Sequence, residues 1–236
     1  YLPHYAVHTP LMGKAEVIEK YKSLRKPDSS QRNPTYAALV ESVDDSVGRI
    51  MAALERLKLA DNTMVIFASD NGGLVFSTSN LGMREGKGSV YEGGVRIPLI
   101  IRWPGKSKPG TTNETPVITM DIFSTIAHVA GVKPPKGRAI DGVSLVPLLT
   151  GRSDIAKRDL FWHYPHYHTG GATPYSAVLS GDYRLIHYYE PRPMELYNLH
   201  DDPMETTNLL EARPEVADSL LKRLDEWRKG VGAQAP

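Results

Sequence analysis

An unbroken apolar run, Met64 to Ala68, is followed by Ser69 and the polar turn Asp70-Asn71-Gly72-Gly73. A short run of this kind, with a β-branched and an aromatic residue in it, is typical of a β-strand. Its nearly continuous apolar character is typical of a strand that is buried on both faces in a parallel sheet. Such a strand needs helices on both sides of the sheet, and this requirement restricts the folds open to the chain.

The segments around this strand predict those helices. Asn33 and Pro34 form a helix start, with a capping side chain and a proline at the first helical position. Apolar residues recur every three or four positions up to Leu57, which predicts an amphipathic helix of about six turns. A second apolar strand (VRIPLIIRWP) and a second amphipathic helix, with Gly131 at its C-terminal cap, follow. The order predicts an α/β fold with part of a mixed, mainly parallel sheet flanked by helices.

The pattern changes after about Asp154. Four short, aromatic segments separated by Gly, Pro or Asp predict a small antiparallel sheet: DLFWHY, YSAVLS, YRLIHYY and MELYNL. The amphipathic segment from Ala212 to Gly230 predicts a helix that closes one face of this sheet. We therefore divide the chain into residues 1–153, a portion of a large α/β domain, and residues 154–236, a small C-terminal α+β subdomain.

The composition excludes several partners and chemistries. Hydrophobic residues make up 41% and charged residues 23%, as in ordinary globular proteins, and the net charge of +1 gives no support for a nucleic-acid partner. No apolar run approaches the roughly 20 residues that span a bilayer. The chain has no cysteine, so disulfides, thiolate metal sites and cysteine nucleophiles within it are excluded. The opening YLPHYAVHTP lacks an initiator Met and a signal-peptide pattern, so we expect the chain to continue a longer polypeptide.

Asp70 and Asn71 are the first candidate ligands. In open α/β sheets, ligands bind beyond the carboxyl ends of the strands. A carboxylate and an amide carbonyl are hard oxygen ligands that suit Ca²⁺ or Mg²⁺ better than zinc, and the two following glycines let the backbone bend. Because Asp, Asn and Gly are also the usual turn residues, an ordinary turn at the strand end is the alternative.

The Gly-rich segment GMREGKGSVYEGGVRIP places Lys87 between Gly86 and Gly88. An ammonium group on a backbone that can approach a ligand closely suits an oxyanion such as sulfate or phosphate. The glycine spacing matches neither a P-loop nor a dinucleotide fingerprint. A mobile surface loop is the alternative interpretation.

Histidines suggest two further candidate positions. His4 and His8 lie in PHYAVHTP, where Pro3 and Pro10 favour an extended loop, and one of them could act as an acid toward a leaving group or simply lie on the surface. Later in the chain, FWHYPHYHTGG mixes His163, His166 and His168 with aromatic rings. The irregular spacing is a weak zinc signal. Flat apolar faces beside polar groups suit a carbohydrate, and a strand edge of mixed exposure is the alternative.

Taken together, five segments resemble the formylglycine-dependent (type I) sulfatases of the alkaline phosphatase superfamily. They occur in the family's order and extend over essentially the whole chain: HYAVHTP, YAALVESVDDSVGRIMAAL, MVIFASDNGG, GKGSVYEGGVRIP and LYNLHDDPMETTNL. The resemblance implies an alkaline phosphatase-like fold, of which this chain would be the C-terminal half. It also implies an enzyme that hydrolyses sulfuric esters.

The resemblance assigns roles to matching residues. Asp70 and Asn71 match a pair of ligands to a divalent metal, normally calcium, with magnesium as the alternative. Lys87 matches the lysine that holds the sulfate near the bridging oxygen. His8 matches the histidine that contacts the sulfate and helps to protonate the departing alcohol. Because the family's C-terminal subdomain borders the mouth of the active site, His163 and His166 become the candidate substrate contacts.

Two parts of the family's site have no match here. The family's nucleophile is a formylglycine made from Cys or Ser in a Cys-x-Pro-x-Arg motif, and this motif and the first metal-binding aspartate pair are absent from the chain. We expect the N-terminal half of the same protein to supply them. The expected substrate is a sulfated sugar or polysaccharide, and the expected location is periplasmic or secreted. The alternatives are a phosphodiesterase or phosphonate hydrolase of the same superfamily, and a non-catalytic protein that binds sulfated glycans.

Overall fold

The computed structural model describes residues 1–26, 30–133, 136–152, 154–169 and 171–236. The described chain forms two compact units: residues 1–63 with 71–96, and residues 64–70 with 97–236. These two units are defined by contacts between residues in space, whereas the predicted boundary between residues 153 and 154 is based on a change in the sequence pattern. The division into residues 1–153 and 154–236 therefore stays a prediction. Ser153, the last residue of the first predicted part, lies outside the described residues.

In its described residues, the first unit contains three α-helices, a short 3₁₀ helix (Ala60–Asn62) and a long glycine-rich segment. The α-helices are α1 (Ala15–Leu24), α2 (Pro34–Arg56) and the short α3 (Glu92–Val95). The predicted start of α2 is confirmed, because the Asn33 side chain accepts a hydrogen bond from the Tyr36 amide at 3.0 Å and Pro34 occupies the first helical turn. Lys20 on α1 pairs with Glu41 on α2 at 2.6 Å.

The second unit begins with a two-stranded ladder. Strands β1 (Val65–Ala68) and β2 (Leu99–Arg102) pair antiparallel. Both predicted strands therefore exist, and their pairing is the antiparallel kind that a mixed sheet contains. The prediction that the first strand is buried on both faces is wrong for this chain, because Phe67 is 38% exposed, Ala68 is exposed as well, and Val65 and Ile66 are only partly buried. An apolar run indicates that a strand can be buried, but whether it is buried depends on which other elements pack against it.

After the ladder come α4 (Met120–Val129) and α5 (Val146–Thr150). The buried Asp121 on α4 joins them to the following segment: it accepts hydrogen bonds from the amides of Ile118 and Val143 and forms a bidentate pair with Arg158. Burial alone would raise the pKa of Asp121, but the hydrogen bonds from Arg158 and the two amides outweigh it and the pKa is lowered. The Asp121 carboxylate therefore has a structural role, because its hydrogen bonds hold α4 to Val143 and Arg158.

The predicted small antiparallel sheet and its closing helix are confirmed. The four strands of the sheet follow one another in an antiparallel meander: β3 (Leu160–Tyr164), β4 (Tyr175–Ser180), β5 (Tyr183–Tyr188) and β6 (Glu195–Asn198). Helix α6 (Pro214–Val231) covers the sheet. The core between them is a cluster of buried apolar side chains: Val178, Leu185, Leu196, Ala217, Leu220 and Leu224.

A fully buried ion pair lies beside this sheet. Arg184 on β5 and Glu205 are 1% and 0% exposed, and their side chains lie 2.9 Å apart. A buried charge requires its partner, because the desolvation cost of either ion alone is several kcal/mol (~3–5 kcal/mol when one partner is removed).

The described helices and strands confirm the predicted fold class, which is α/β with a small antiparallel sheet and a C-terminal helix.

Candidate functional site

Asp70 lies just beyond the carboxyl end of β1, separated from its last residue, Ala68, by Ser69. Its side chain is exposed, and among the described residues it forms no hydrogen bond or ion pair. The next residue, Asn71, is partly buried, and its amide nitrogen donates to the Gly72 carbonyl at 2.9 Å. This bond identifies Oδ1 as the atom of Asn71 that could bind a cation. A carboxylate and an amide oxygen fit a hard divalent metal such as calcium.

The described ranges hold no group of three or more His, Cys, Asp and Glu side chains placed to bind a metal ion. If Asp70 and Asn71 acted as ligands, as the resemblance implies, they would offer two oxygen atoms, whereas Ca²⁺ takes six to eight. A metal bound by these residues would therefore need further ligands from elsewhere.

The Gly72–Gly94 segment is braced by hydrogen bonds between distant parts of its backbone. The Gly72 amide donates to the Gly94 carbonyl at 2.9 Å, and the Gly93 amide donates to the Arg84 carbonyl at 2.9 Å. A Cβ atom at Gly72 would collide with the Gly93 carbonyl oxygen, so only glycine permits this approach. The segment is a folded loop held by its own backbone, which argues against a mobile surface loop.

Lys87 lies within this braced loop. Its amide donates to the Gly73 carbonyl at 3.1 Å, which joins the lysine to the turn that follows Asn71. Its side chain is partly buried, and in the described part of the chain its ammonium group has no hydrogen-bond or ion-pair partner. Lys87 is therefore a positive charge on a fixed backbone that no neighbouring carboxylate neutralises, which is the arrangement an oxyanion site needs.

His8 is held by its own loop. Its amide donates to the Tyr5 carbonyl at 2.9 Å, and its Nδ1 lies 2.8 Å from the Thr9 carbonyl oxygen. Because a carbonyl only accepts hydrogen bonds, the proton on the neutral ring belongs to Nδ1, and Nε2 is the nitrogen that can exchange a proton with a ligand. The extended loop that Pro3 and Pro10 predict is found only over the first five residues, because a turn at residues 6 and 7, closed by the hydrogen bond from the His8 amide to the Tyr5 carbonyl, bends the backbone back. His4 takes a different role, since its Nε2 lies 2.8 Å from the Ser46 hydroxyl.

The two histidines predicted to contact substrate differ in their surroundings. His166 is exposed, and its ring packs edge-on against Tyr164 with 5.5 Å between the centroids. His163 lies inside a polar chain in the small subdomain. Its Nε2 donates to the Gln234 carbonyl at 2.8 Å, and its Nδ1 accepts from the Ser176 hydroxyl at 2.8 Å. Both ring nitrogens of His163 are therefore committed to protein atoms.

This polar chain runs in one direction. Arg228 on α6 donates to the Tyr189 hydroxyl at 3.1 Å, and the Tyr189 and Ser176 hydroxyls lie 2.9 Å apart. Because arginine only donates hydrogen bonds, each group donates to the next one in the chain. Arg228 donates to Tyr189, Tyr189 donates to Ser176, and Ser176 donates to the neutral ring of His163. The chain connects α6, the sheet and the C-terminal residues, and sequence reasoning missed it because its members are far apart in the sequence.

His187, which lies beside this series of hydrogen bonds, predicts that the stability of the folded protein depends on pH. Nδ1 of His187 lies 3.3 Å from Nη1 of Arg228, which also pairs with Asp225, and the His187 ring packs edge-on against Tyr189. Burial and the Arg228 charge lower the pKa of His187 from its ordinary 6.5, with Asp225 opposing them. The unfolded chain therefore binds this proton more readily than the folded chain, and stability falls as the pH drops below about 6.5.

We expect amide exchange in β5 and α6 of the complete protein to be faster at pH 5.5 than at pH 7.5, after correction for the intrinsic pH dependence of exchange. His187→Gln should reduce this difference, and His200→Gln, at an exposed position, should leave it unchanged. Equal corrected protection at both pH values in the wild-type protein would contradict the prediction.

Comparison with known proteins gives this chain a family. The family model named Sulfatase matches residues 1–132, and the model named N-sulphoglucosamine sulphohydrolase, C-terminal, matches residues 86–230. A sulfatase from Formosa agariphila is 39% identical over 97% of this chain. The chain covers 45% of that relative and 28% of the human steryl-sulfatase, to which it is 35% identical over 69% of its own length. It thus spans less than half of the relatives it matches.

Solved structures agree. Ps i-CgsB in complex with k-i-k-neocarrahexaose superimposes with a TM-score of 0.82 at 26% identity, covering 94% of this chain and 48% of that one. A protein in complex with its substrate D-glucosamine-2-N,6-O-disulfate gives a TM-score of 0.71 at 29% identity, with coverages of 93% and 43%. The phosphonate monoester hydrolase of Agrobacterium radiobacter gives 0.67 at 27% identity, with coverages of 84% and 41%. On these matches, and with its alkaline phosphatase-like fold, the chain belongs to the sulfatase family.

Proposed function

We propose that the complete protein is a sulfuric ester hydrolase that removes sulfate from a sulfated carbohydrate. The observation that carries this proposal is the pair of family matches, to residues 1–132 and 86–230, which together span nearly the whole chain. The name of the second family points to an N-sulfated sugar. The likeness to a protein whose substrate is D-glucosamine-2-N,6-O-disulfate supports the same substrate class.

Asp70 and Asn71 are proposed to hold a divalent metal, Ca²⁺ or alternatively Mg²⁺, because both present hard oxygen atoms. When bound, such an ion polarises sulfate oxygens and stabilises the negative charge that builds up there. The formylglycine that the resemblance implies would supply the nucleophile toward sulfur, and a preceding portion of the same protein would carry it. On this proposal, Asp70 and Asn71 would form one part of an active site.

Lys87 and His8 are the residues of this chain proposed to act on the reacting group. When the sulfur–oxygen bond breaks, negative charge develops on the bridging oxygen. The unpaired ammonium of Lys87 would stabilise this charge from a backbone that is already fixed. His8, anchored through Nδ1 to the Thr9 carbonyl, would in its doubly protonated form donate the proton on Nε2 to the leaving alcohol.

His163 and His166 remain the predicted substrate contacts in the small subdomain. His166 is the better placed of the two, because its ring is exposed and rests against the aromatic face of Tyr164. A flat ring with a polar edge suits a sugar. His163 uses both ring nitrogens within the subdomain, so its contribution to binding would come from its ring edge or from the shape of the surface.

A preceding portion of the same protein is proposed as the partner that completes the domain. Large apolar side chains on the ladder and on α4 are exposed here, among them Ile100 at 63%, Phe123 at 52% and Ile126 at 52%. Exposed apolar surface of this size is typical of a face that another element covers.

No helix in the described ranges is both long enough and apolar enough to cross a membrane. A periplasmic or secreted location is proposed from the family resemblance.

A second candidate function is phosphonate or phosphodiester hydrolysis. The likeness to the phosphonate monoester hydrolase of Agrobacterium radiobacter favours it, because its identity to this chain, 27%, is almost the same as that of Ps i-CgsB, 26%. The metal pair and the lysine would serve either anion, because sulfate and phosphate esters place similar charge on similar oxygens.

The test uses the complete gene product that carries this chain. We would measure release of inorganic sulfate from sulfated mono- and disaccharides, with a phosphonate monoester and a phosphodiester as comparison substrates. In parallel, the mass of the upstream Cys-x-Pro-x-Arg peptide would report conversion to formylglycine. Sulfate release with a converted peptide supports the proposal. Hydrolysis of only the phosphorus compounds supports the second candidate, and binding of sulfated sugar without turnover would reject both.

A further inference from the structure

Asn80 forms the central contacts of the Gly72–Gly94 loop. Its Oδ1 accepts from the Gly73 amide at 2.9 Å, and its Nδ2 donates to the Gly73 carbonyl at 2.8 Å. The same Nδ2 donates to the Glu85 carbonyl at 2.9 Å. The side-chain amide thus pairs with both polar backbone groups of Gly73, as a neighbouring strand would, and holds a second backbone segment at the same time.

These contacts join the two parts of the loop that matter for the proposed chemistry. Gly73 lies two residues after Asn71, and Glu85 lies two residues before Lys87. The Gly73 carbonyl accepts from the Lys87 amide at 3.1 Å as well as from Asn80. A Cβ atom at Gly86 would collide with both the Gly73 carbonyl oxygen and Nδ2 of Asn80, so these groups are packed with no space between them.

The segment that carries Asn80 is itself held in place. Gln31 accepts hydrogen bonds from the Thr78 hydroxyl at 2.7 Å and the Ser79 amide at 3.2 Å, and it donates to the Ser79 carbonyl at 2.8 Å. Asn80 therefore does not adapt freely to the backbone that it holds. A side chain anchored on one side can impose its geometry on the other.

We infer that Asn80 is a positioning residue: it sets the place of the Lys87 backbone relative to the turn after Asn71. This inference rests on the proposed function, since it assigns Asn80 a role in the chemistry attributed to Lys87. Misplacing a catalytic group by about 1 Å can reduce the rate by roughly a hundredfold. Asn80 touches no reacting atom in this account and acts only through Lys87.

The test compares Asn80→Asp and Asn80→Ala in the complete protein with Asn113→Asp, an exposed asparagine, as the control. Asn80→Asp keeps the acceptor for the Gly73 amide but replaces the donor with an oxygen that faces two carbonyl oxygens. We expect both Asn80 variants to lower kcat by about tenfold to a hundredfold, with KM changed much less. The control should match the wild-type protein.

A double substitution separates positioning from general destabilisation. Because Asn80 acts through Lys87, adding Asn80→Ala to Lys87→Ala should cost little more activity than Lys87→Ala alone. An equal loss in both backgrounds overturns the inference, as does wild-type kcat in both Asn80 variants. If Asn80→Asp fails to fold, Asn80→Ala carries the test. If neither variant unfolds cooperatively, Asn80 is a stability residue and the inference falls.

Amide exchange supplies a measurement that does not depend on turnover. In Asn80→Ala, the amides of Gly73 and Lys87 should exchange faster, while those of β4 and β5 keep their wild-type protection. Unchanged exchange at Lys87 overturns the inference. If the wild-type protein releases no sulfate, the proposed function fails, and the exchange of the Lys87 amide still decides whether Asn80 holds this backbone.

Discussion

Replacing Asp70 with alanine in the complete protein is expected to remove the bound metal and to lower kcat/KM by at least about a hundredfold. A metal ion that polarises the reacting group contributes several kcal/mol to the transition state, and each ~1.4 kcal/mol is a factor of ten in rate. Asp70 is exposed and forms no hydrogen bond or ion pair within the described residues, so its loss should not unfold the chain. Metal content and sulfate release would be measured on the same sample.

Asp61→Ala is the matched control. Asp61 is also an exposed aspartate, and it lies shortly before β1, whereas Asp70 lies shortly after it. The control should keep both metal and activity. An inactive Asp70→Ala protein with full metal occupancy would show that Asp70 is not a ligand. An active protein without metal would remove the metal from the proposed chemistry.

Lys87→Ala is expected to lower kcat by at least about a hundredfold, as the loss of one preorganised group that stabilises developing charge typically does. The loop should remain folded, because Lys87 is held through its backbone amide and not through its side chain. Lys87→Arg keeps the charge but replaces a compact ammonium with a planar group. We expect it to recover only part of the activity.

The control for this second prediction is Lys106→Ala, which removes an exposed lysine from another loop. Thermal midpoints of the Lys87 and Lys106 variants should agree with each other. A Lys87→Ala protein with a nearly normal rate would exclude the lysine from the mechanism. A large drop in its thermal midpoint would instead assign Lys87 to the stability of the loop.

Local structure was predicted well where neighbours in the sequence determine it. The start of α2 depends on Asn33 and Pro34, which act on the backbone next to them. The four strands of the small sheet coincide with the four predicted segments, because turns separate them and each pairs with the next. Gly131 has a φ of +66° just after α4, as its place at a helix end predicts.

The candidate site was predicted only in part. The resemblance supplied Asp70, Asn71, Lys87 and His8 as residues, and their roles stay predictions. Asn80 and Gln31, which shape the loop, carry no signal of this role in the sequence. Apart from the Thr78 hydroxyl, their partners are backbone atoms of Gly73, Ser79 and Glu85, and a hydrogen bond to a backbone atom requires no particular residue there.

The sequence by itself determined where the helices and strands lie and which family's motifs the chain carries, because both depend on the order of residues over short distances. The tertiary structure alone decided what surrounds each side chain. It paired β1 with β2 antiparallel and left Ile100 largely exposed, and it committed both nitrogens of His163 within the small subdomain. Burial and hydrogen bonding are properties of groups brought together from distant parts of the chain, so a pattern of neighbouring residues could not specify them.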